Sequence, residues 1–126
     1  MSRILVADDD EDLREMLRLM LLKMGHEVAV AHNGKEALAL CPQFQPELVL
    51  TDLIMPEREG LETIQILRKS WPNIRIIAMS GGARMNAGDL LRIAKLMGAR
   101  EALAKPFSNQ ELQFAVEAAL RDRPAT

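Results

Sequence analysis

The sequence predicts an α/β domain built on a doubly wound parallel five-stranded sheet, (βα)5, and three observations predict it. Five short apolar runs alternate with five stretches whose apolar residues recur at helical spacing. The connections between them are short, as expected when each helix packs back onto the sheet through a right-handed crossover. The strand runs are almost continuously apolar, which fits strands covered by helices on both faces.

The elements follow in order. RILVA at 3–7 is the first strand, and a helix follows from about Glu11 to Met24, with Leu13, Met16, Leu17, Met20, Leu21 and Met24 at helical spacing and Gly25 as the stop. EVAVA at 27–31 is the second strand, followed by a helix from Gly34 to about Leu40. ELVLT at 47–51 precedes a helix from about Gly60 to Ser70, and IRIIAM at 74–79 precedes one from about Ala87 to Met97. EALA at 101–104 is the last strand, and a helix from about Ser108 to Arg121 closes the series. The terminal RPAT is expected to fray. There is no internal repeat, low-complexity run or linker.

Composition bounds the function. At 126 residues the chain fits one domain and buries roughly 60 to 70% of its unfolded surface, enough for a core without staples. A net charge of -2 gives no general attraction to nucleic acid or anionic lipid. The single cysteine, Cys41, lies in an apolar helical context without neighbouring ligands, so it is expected to be a buried thiol in a reducing compartment. Asp8 interrupts the first apolar run before it could serve as a signal peptide, and no run nears the roughly 18 residues a membrane span needs. A cytoplasmic protein with no membrane insertion is the expectation. The eight methionines are expected to fill gaps in the core rather than form a binding surface. Trp71, before Pro72, is expected to cap the third helix, and His26 and His32 to be solvated loop residues.

In an open parallel sheet, ligands bind beyond the carboxyl ends of the strands, and the polar signals of this sequence fall there. The first strand ends at Asp8 and Asp9, the third at Asp52, the fourth at Ser80, and the fifth at Lys105 followed by Pro106. In LVADDDED, the helix dipole accounts for Glu11 and Asp12, and capping partly for Asp10. Neither explains Asp52 or Lys105. Carboxylates gathered without a cation raise one another's pKa and destabilise the fold, whereas a hard divalent ion turns them into a ligand shell of the kind Mg²⁺ prefers. Ser80 and Lys105 could then offer a hydrogen bond and a point charge to a phosphoryl group, with Asp52 as a plausible nucleophile.

The segments ILVADDDEDLREML, LVLTDLIMPEREGLE, IIAMSGG and LAKPFSNQEL occur in an order and spacing that closely resemble the receiver domain of two-component response regulators, over essentially the whole chain. The resemblance implies a flavodoxin-like fold with strand order 2-1-3-4-5, a receiver domain over 1–122 and a tail at 123–126. It implies that Asp52 is the phosphoacceptor, that Asp8, Asp9, Asp52 and the backbone carbonyl of Ile54 hold Mg²⁺, that Ser80 is the switch hydroxyl and that Lys105 contacts the phosphoryl group. It suggests a cis Lys105–Pro106 bond. The function implied is that of a phosphoacceptor rather than an enzyme, supporting its own phosphorylation and dephosphorylation. Its donor would be a sensor histidine kinase or a histidine phosphotransfer protein. Without a recognisable output segment, a stand-alone regulator acting through a partner protein, and not directly on nucleic acid, is the expectation.

Rival readings are weaker. A haloacid-dehalogenase-type phosphatase needs a second Asp two positions after its nucleophile, where this chain has Ile54. A flavin carrier needs a hydroxyl-rich loop after the first strand, and here that loop is acidic. The alternative that survives is a receiver-like interaction module that is not phosphorylated. Two departures from the family pattern concern the switch. A position often aromatic in receivers is Ala102 here, and the connection SGGARMNAGD is long and glycine-rich, so the switch is expected in loop order. Finally, Leu19 and Leu22 fall on the otherwise polar face of the first helix, where the resemblance places the docking of a phosphohistidine-bearing helical partner.

Overall fold

The structure, a computed structural model, describes residues 1–53, 59–81 and 87–121, with the backbone alone at 59–61, 87 and 90. Ile54, the segment 82–86 of the glycine-rich connection and the tail at 123–126 lie outside the described residues. The elements are β1 (Arg3–Ala7), α1 (Glu11–Lys23), β2 (Glu27–Ala31), α2 (Gly34–Phe44), β3 (Leu48–Asp52), α3 (Glu59–Ser70), β4 (Arg75–Gly81), α4 (Ala87–Leu96), β5 (Glu101–Lys105) and α5 (Asn109–Arg121). They form one five-stranded sheet in the order β2-β1-β3-β4-β5, with every pairing parallel. The expected flavodoxin-like architecture is the observed one.

Period-two alternation along the strands sorts the core into two layers. Ile4, Val6, Leu48, Leu50, Ile77 and Met79 face α1 and α5, where they meet Leu17, Leu21, Leu112 and Val116. Leu5, Val49, Ile76 and Ala78 face the other way, against Ala37 and Cys41 of α2, Ile64 and Leu67 of α3, and Ala94 of α4. Three helix starts have a local cause in the described residues. Asp10 caps α1, its carboxylate accepting from the backbone N–H groups of Asp12 and Leu13, and Asn33 caps α2 by accepting from Glu36 N–H. Ser108 and Glu111 form a reciprocal capping box at α5, each side chain accepting from the other's backbone N–H. Gly25 at φ 94° and Gly98 at φ 100° follow α1 and α4 in a conformation that disfavours other residues.

Several expectations are corrected. α2 does not stop near Leu40 but runs through Pro42 to Phe44, ending on Gln45 in the left-handed region. Pro42 forfeits one backbone hydrogen bond of the helix, but continuing past it buries Cys41 and packs Leu40 and Phe44 on the core. Met16, placed by spacing on the core stripe of α1, is 42% exposed. The sheet covers a narrower arc of α1 than the periodicity allows, so Leu17 and Leu21 are the buried residues. Of the other methionines, Met79 is fully buried, while Met20, Met24 and Met97 are partly buried against the core. Met55 and Met85 lie outside the described residues. His26 is not a solvated loop residue. It is half-buried, with Nδ1 accepting from the Ser2 N–H at 3.1 Å. His32 is exposed and pairs with Glu36 at 3.1 Å. Trp71 packs partly buried at the end of α3, its N–H donating to Leu67 O. Cys41 is buried and free, and burial pushes its thiol pKa up. Among the described residues no helix is long and apolar enough to cross a membrane.

Candidate functional site

The alternation that builds the two layers also delivers the polar residues. Asp8 continues the parity of Ile4 and Val6, Asp52 that of Leu48 and Leu50, and Lys105 that of Leu103. All three therefore emerge at the carboxyl ends of their strands on the face covered by α1 and α5. Ser80 has the opposite parity, with Ile76 and Ala78. It is buried at the end of β4, in register with Ala104, the neighbour of Lys105.

The three groups meet. Lys105 Nζ donates to Asp8 Oδ2 at 2.7 Å and to Asp52 Oδ2 at 3.0 Å, across 97 and 53 residues of sequence. To do so it reaches over the end of β4, which separates β5 from β3. Its register partner there is Gly81, and a Cβ on Gly81 would stand 3.3 Å from Lys105 Cδ. Absence of that Cβ clears the path of the lysine stem. Lys105 is followed by Pro106 through a cis peptide bond, as expected.

Asp8 is fully buried and Asp52 nearly so, while Asp9 is exposed. One carboxylate oxygen from each of these three acids lies within 4.8 Å of the others. Asp8 is held at every polar atom: its N–H donates to Ala31 O at 3.1 Å, Oδ1 accepts from Asp10 N–H at 2.8 Å, Oδ2 accepts from Lys105, and its carbonyl accepts from Arg14 Nη1 at 2.8 Å. Burial disfavours the charged form of Lys105, but hydrogen bonds to Asp8 and then Asp52 outweigh that, so its pKa is raised. One ammonium cannot neutralise three carboxylates. The donor set, oxygen only and negatively charged beyond what Lys105 offsets, fits a hard divalent cation such as Mg²⁺ and does not fit a thiophilic metal.

Asp8, Asp9, Asp52 and Lys105 are thus brought together, and Ser80 lies on the adjoining strand end. The expected fourth ligand, the Ile54 carbonyl, lies outside the described residues. Two contributors were not legible in the sequence: Gly81, whose importance lies in a missing atom, and Arg14, one basic residue among several on a polar helix face.

A family model described as response regulator receiver domain matches residues 4–117. The DNA-binding transcriptional regulator NtrC of Azospirillum brasilense is 39% identical over 119 residues, covering 94% of this chain and 24% of its own length. Response regulator MprA of Mycolicibacterium vanbaalenii is 39% identical over 120 residues, covering 94% of this chain and 50% of its own length. The chain therefore spans between about a quarter and a half of these curated relatives. Among solved structures, a response regulator receiver domain protein from Clostridium thermocellum superposes with a TM-score of 0.84 at 28% identity, over 96% of this chain and 95% of that one. With the sheet order, the strand-end acids and this match over nearly the whole chain in agreement, the protein belongs to the response regulator receiver domain family and is a receiver domain of two-component signalling.

Proposed function

We propose that this receiver accepts a phosphoryl group on Asp52 from a phosphohistidine donor, and that the modified state changes its binding to a partner protein. The observation that carries the reading is Lys105 Nζ bridging Asp8 and Asp52, with Asp9 within reach of both. In the transfer, an Asp52 carboxylate oxygen forms a bond to phosphorus as the phosphorus–nitrogen bond to the donor imidazole breaks. The imidazole leaves with the electron pair and takes up a proton. Water later cleaves the acyl phosphate to inorganic phosphate and the original carboxylate. Lys105 already lies beside the acceptor oxygen, so its ammonium can pass from carboxylate to phosphoryl oxygen with little movement. Ser80, at the neighbouring strand end, would donate its hydroxyl to the same group. Asp8, Asp9 and Asp52, with the Ile54 carbonyl, would hold Mg²⁺, which when bound supplies the positive charge these acids lack.

The test is incubation with acetyl phosphate and Mg²⁺, followed by intact mass. Wild type gains one phosphoryl group and Asp52→Ala gains none; equal labelling of both would remove Asp52 from its role.

The donor's docking surface is proposed on α1. Leu19 is 52% exposed and Leu22 is exposed three residues on. Met16, three before Leu19, lines a groove of about 350 Å³ with Leu13, Pro106, Phe107, Asp10 and Lys105. An apolar helix face thus leads to the active-site lysine, a suitable seat for a helix that carries the phosphohistidine. Replacing Leu19 and Leu22 together by Ser slows transfer from the phosphohistidine protein while leaving acetyl phosphate labelling intact, because a small donor needs no docking. Such exposed changes shift stability by only about 0.5 kcal/mol. Equal impairment with both donors would make the leucines part of the fold.

A further inference from the structure

The three acids are not held alike. Asp8 is fixed at all its polar atoms, and Asp52 shares Lys105 with it. Asp9 is exposed and has no hydrogen-bond or ion-pair partner among the described residues, yet its carboxylate lies within 4.8 Å of the other two. An exposed carboxylate beside two others is pushed outward, so something other than its side chain must keep it there. We propose that Arg14 is a positioning residue for Asp9, acting through the peptide that joins Asp8 to Asp9. The proposal rests on the metal-holding reading of the site.

The physical link is the planarity of the peptide. The carbonyl of Asp8 and the N–H and Cα of Asp9 belong to one rigid unit, so anchoring the carbonyl orients the start of Asp9. Arg14 Nη1 anchors it at 2.8 Å in a part-buried hydrogen bond. Arg14 is rooted in α1, whose N-terminus is fixed by the Asp10 cap. On the other side, the Asp8 N–H is tied to β2 through Ala31 O. The peptide before Asp8 is thus fixed to the sheet and the one after it to the helix. Without Arg14 the second loses its anchor to the helix, leaving Asp10 N–H on Asp8 Oδ1 as the neighbouring restraint, and repulsion would carry the Asp9 carboxylate away from the cluster. The outer partner of a metal ligand commonly matters in this way, with losses of 10- to 100-fold in metal affinity when it is removed.

Arg14→Met keeps the apolar stem and removes the donors, while Arg14→Lys restores one donor. Two measurements are made on each variant: the Mg²⁺ concentration giving half of the maximal thermal stabilisation, and exchange of the Asp10 amide, which donates to Asp8 Oδ1, without Mg²⁺. Arg14→Met raises the Mg²⁺ midpoint roughly tenfold and speeds exchange at the Asp10 amide, and Arg14→Lys recovers part of each. A merely structural role for Arg14 would lower the melting temperature without moving the Mg²⁺ midpoint, and that result overturns the proposal. If wild type itself does not respond to Mg²⁺, the metal reading fails, and the exchange measurement decides alone: unchanged protection at Asp10 in Arg14→Met overturns the positioning role.

Discussion

The two edges of the sheet carry polar groups of different burial and opposite consequence: half-buried or exposed at the amino edge, buried at Asp8, Asp52 and Ser80 at the other. At the amino edge, the contacts extend the backbone ladders or join side chains to backbone. Glu27 N–H donates to Ser2 O, Glu47 N–H to Arg3 O, and Arg75 N–H to Glu47 O, all at 2.8 to 3.0 Å, while Ser2 N–H ends on His26 Nδ1 and Arg3 Nε on Gln45 O. Each of these donors finds an acceptor. At the carboxyl edge, three carboxylates crowd together, and two of them share a single ammonium that is only 18% exposed. That arrangement is less favourable for the isolated domain than apolar packing would be. The difference teaches where stability has been given up, and the edge that gave it up is the one with the proposed chemistry.

The largest effect expected to sharpen this contrast is Lys105→Met. It leaves buried Asp8 and Asp52 without their counter-ion and lowers stability by about 3 kcal/mol in urea titration without Mg²⁺. Mg²⁺ then stabilises this variant more than wild type, since cation and lysine offset the same acids. A variant as stable as wild type would show that the carboxyl edge carries no such debt. Next in size, Mg²⁺ at ten times its dissociation constant raises the stability of unmodified wild type by about 1.4 kcal/mol. Asp9→Asn weakens that response, and an identical response in both would place the ion elsewhere.

The smallest effect lies at the amino edge and is read from pH. Burial, followed by the N-terminal ammonium, holds His26 below its usual pKa despite the opposing charge of Glu47. Between its lowered folded pKa and 6.5 the unfolded chain binds more protons, so stability rises with pH through that window, is complete above about 6.5, and is lost as pH falls through the folded pKa. His26→Gln flattens the stability profile below pH 7 relative to wild type; parallel profiles would remove His26 from the account. Lys105 has the opposite sign. Its raised pKa means the folded chain keeps the proton longer, so its contribution is complete below about 10.5 and disappears as pH rises through the folded pKa. The two edges therefore weaken at opposite ends of the pH scale.

The sequence by itself determined the alternation of strands and helices, the two-sided burial of the strands, and the placing of Asp8, Asp9, Asp52, Ser80 and Lys105 at one sheet edge. These follow from local periodicity and from the rule that parallel strands end on a common side. Tertiary structure alone decided how wide a stripe of α1 the sheet covers, which leaves Met16 exposed, and whether burying Cys41 outweighs the break at Pro42, which extends α2 to Phe44. It also decided that Lys105 crosses the end of β4 where Gly81 has no side chain, that His26 accepts from Ser2, and that Arg14 anchors the Asp8 carbonyl. Periodicity reports the direction in which a side chain leaves its own element. What that side chain meets depends on the distance and shape of another element, and those are set only when the packing is complete.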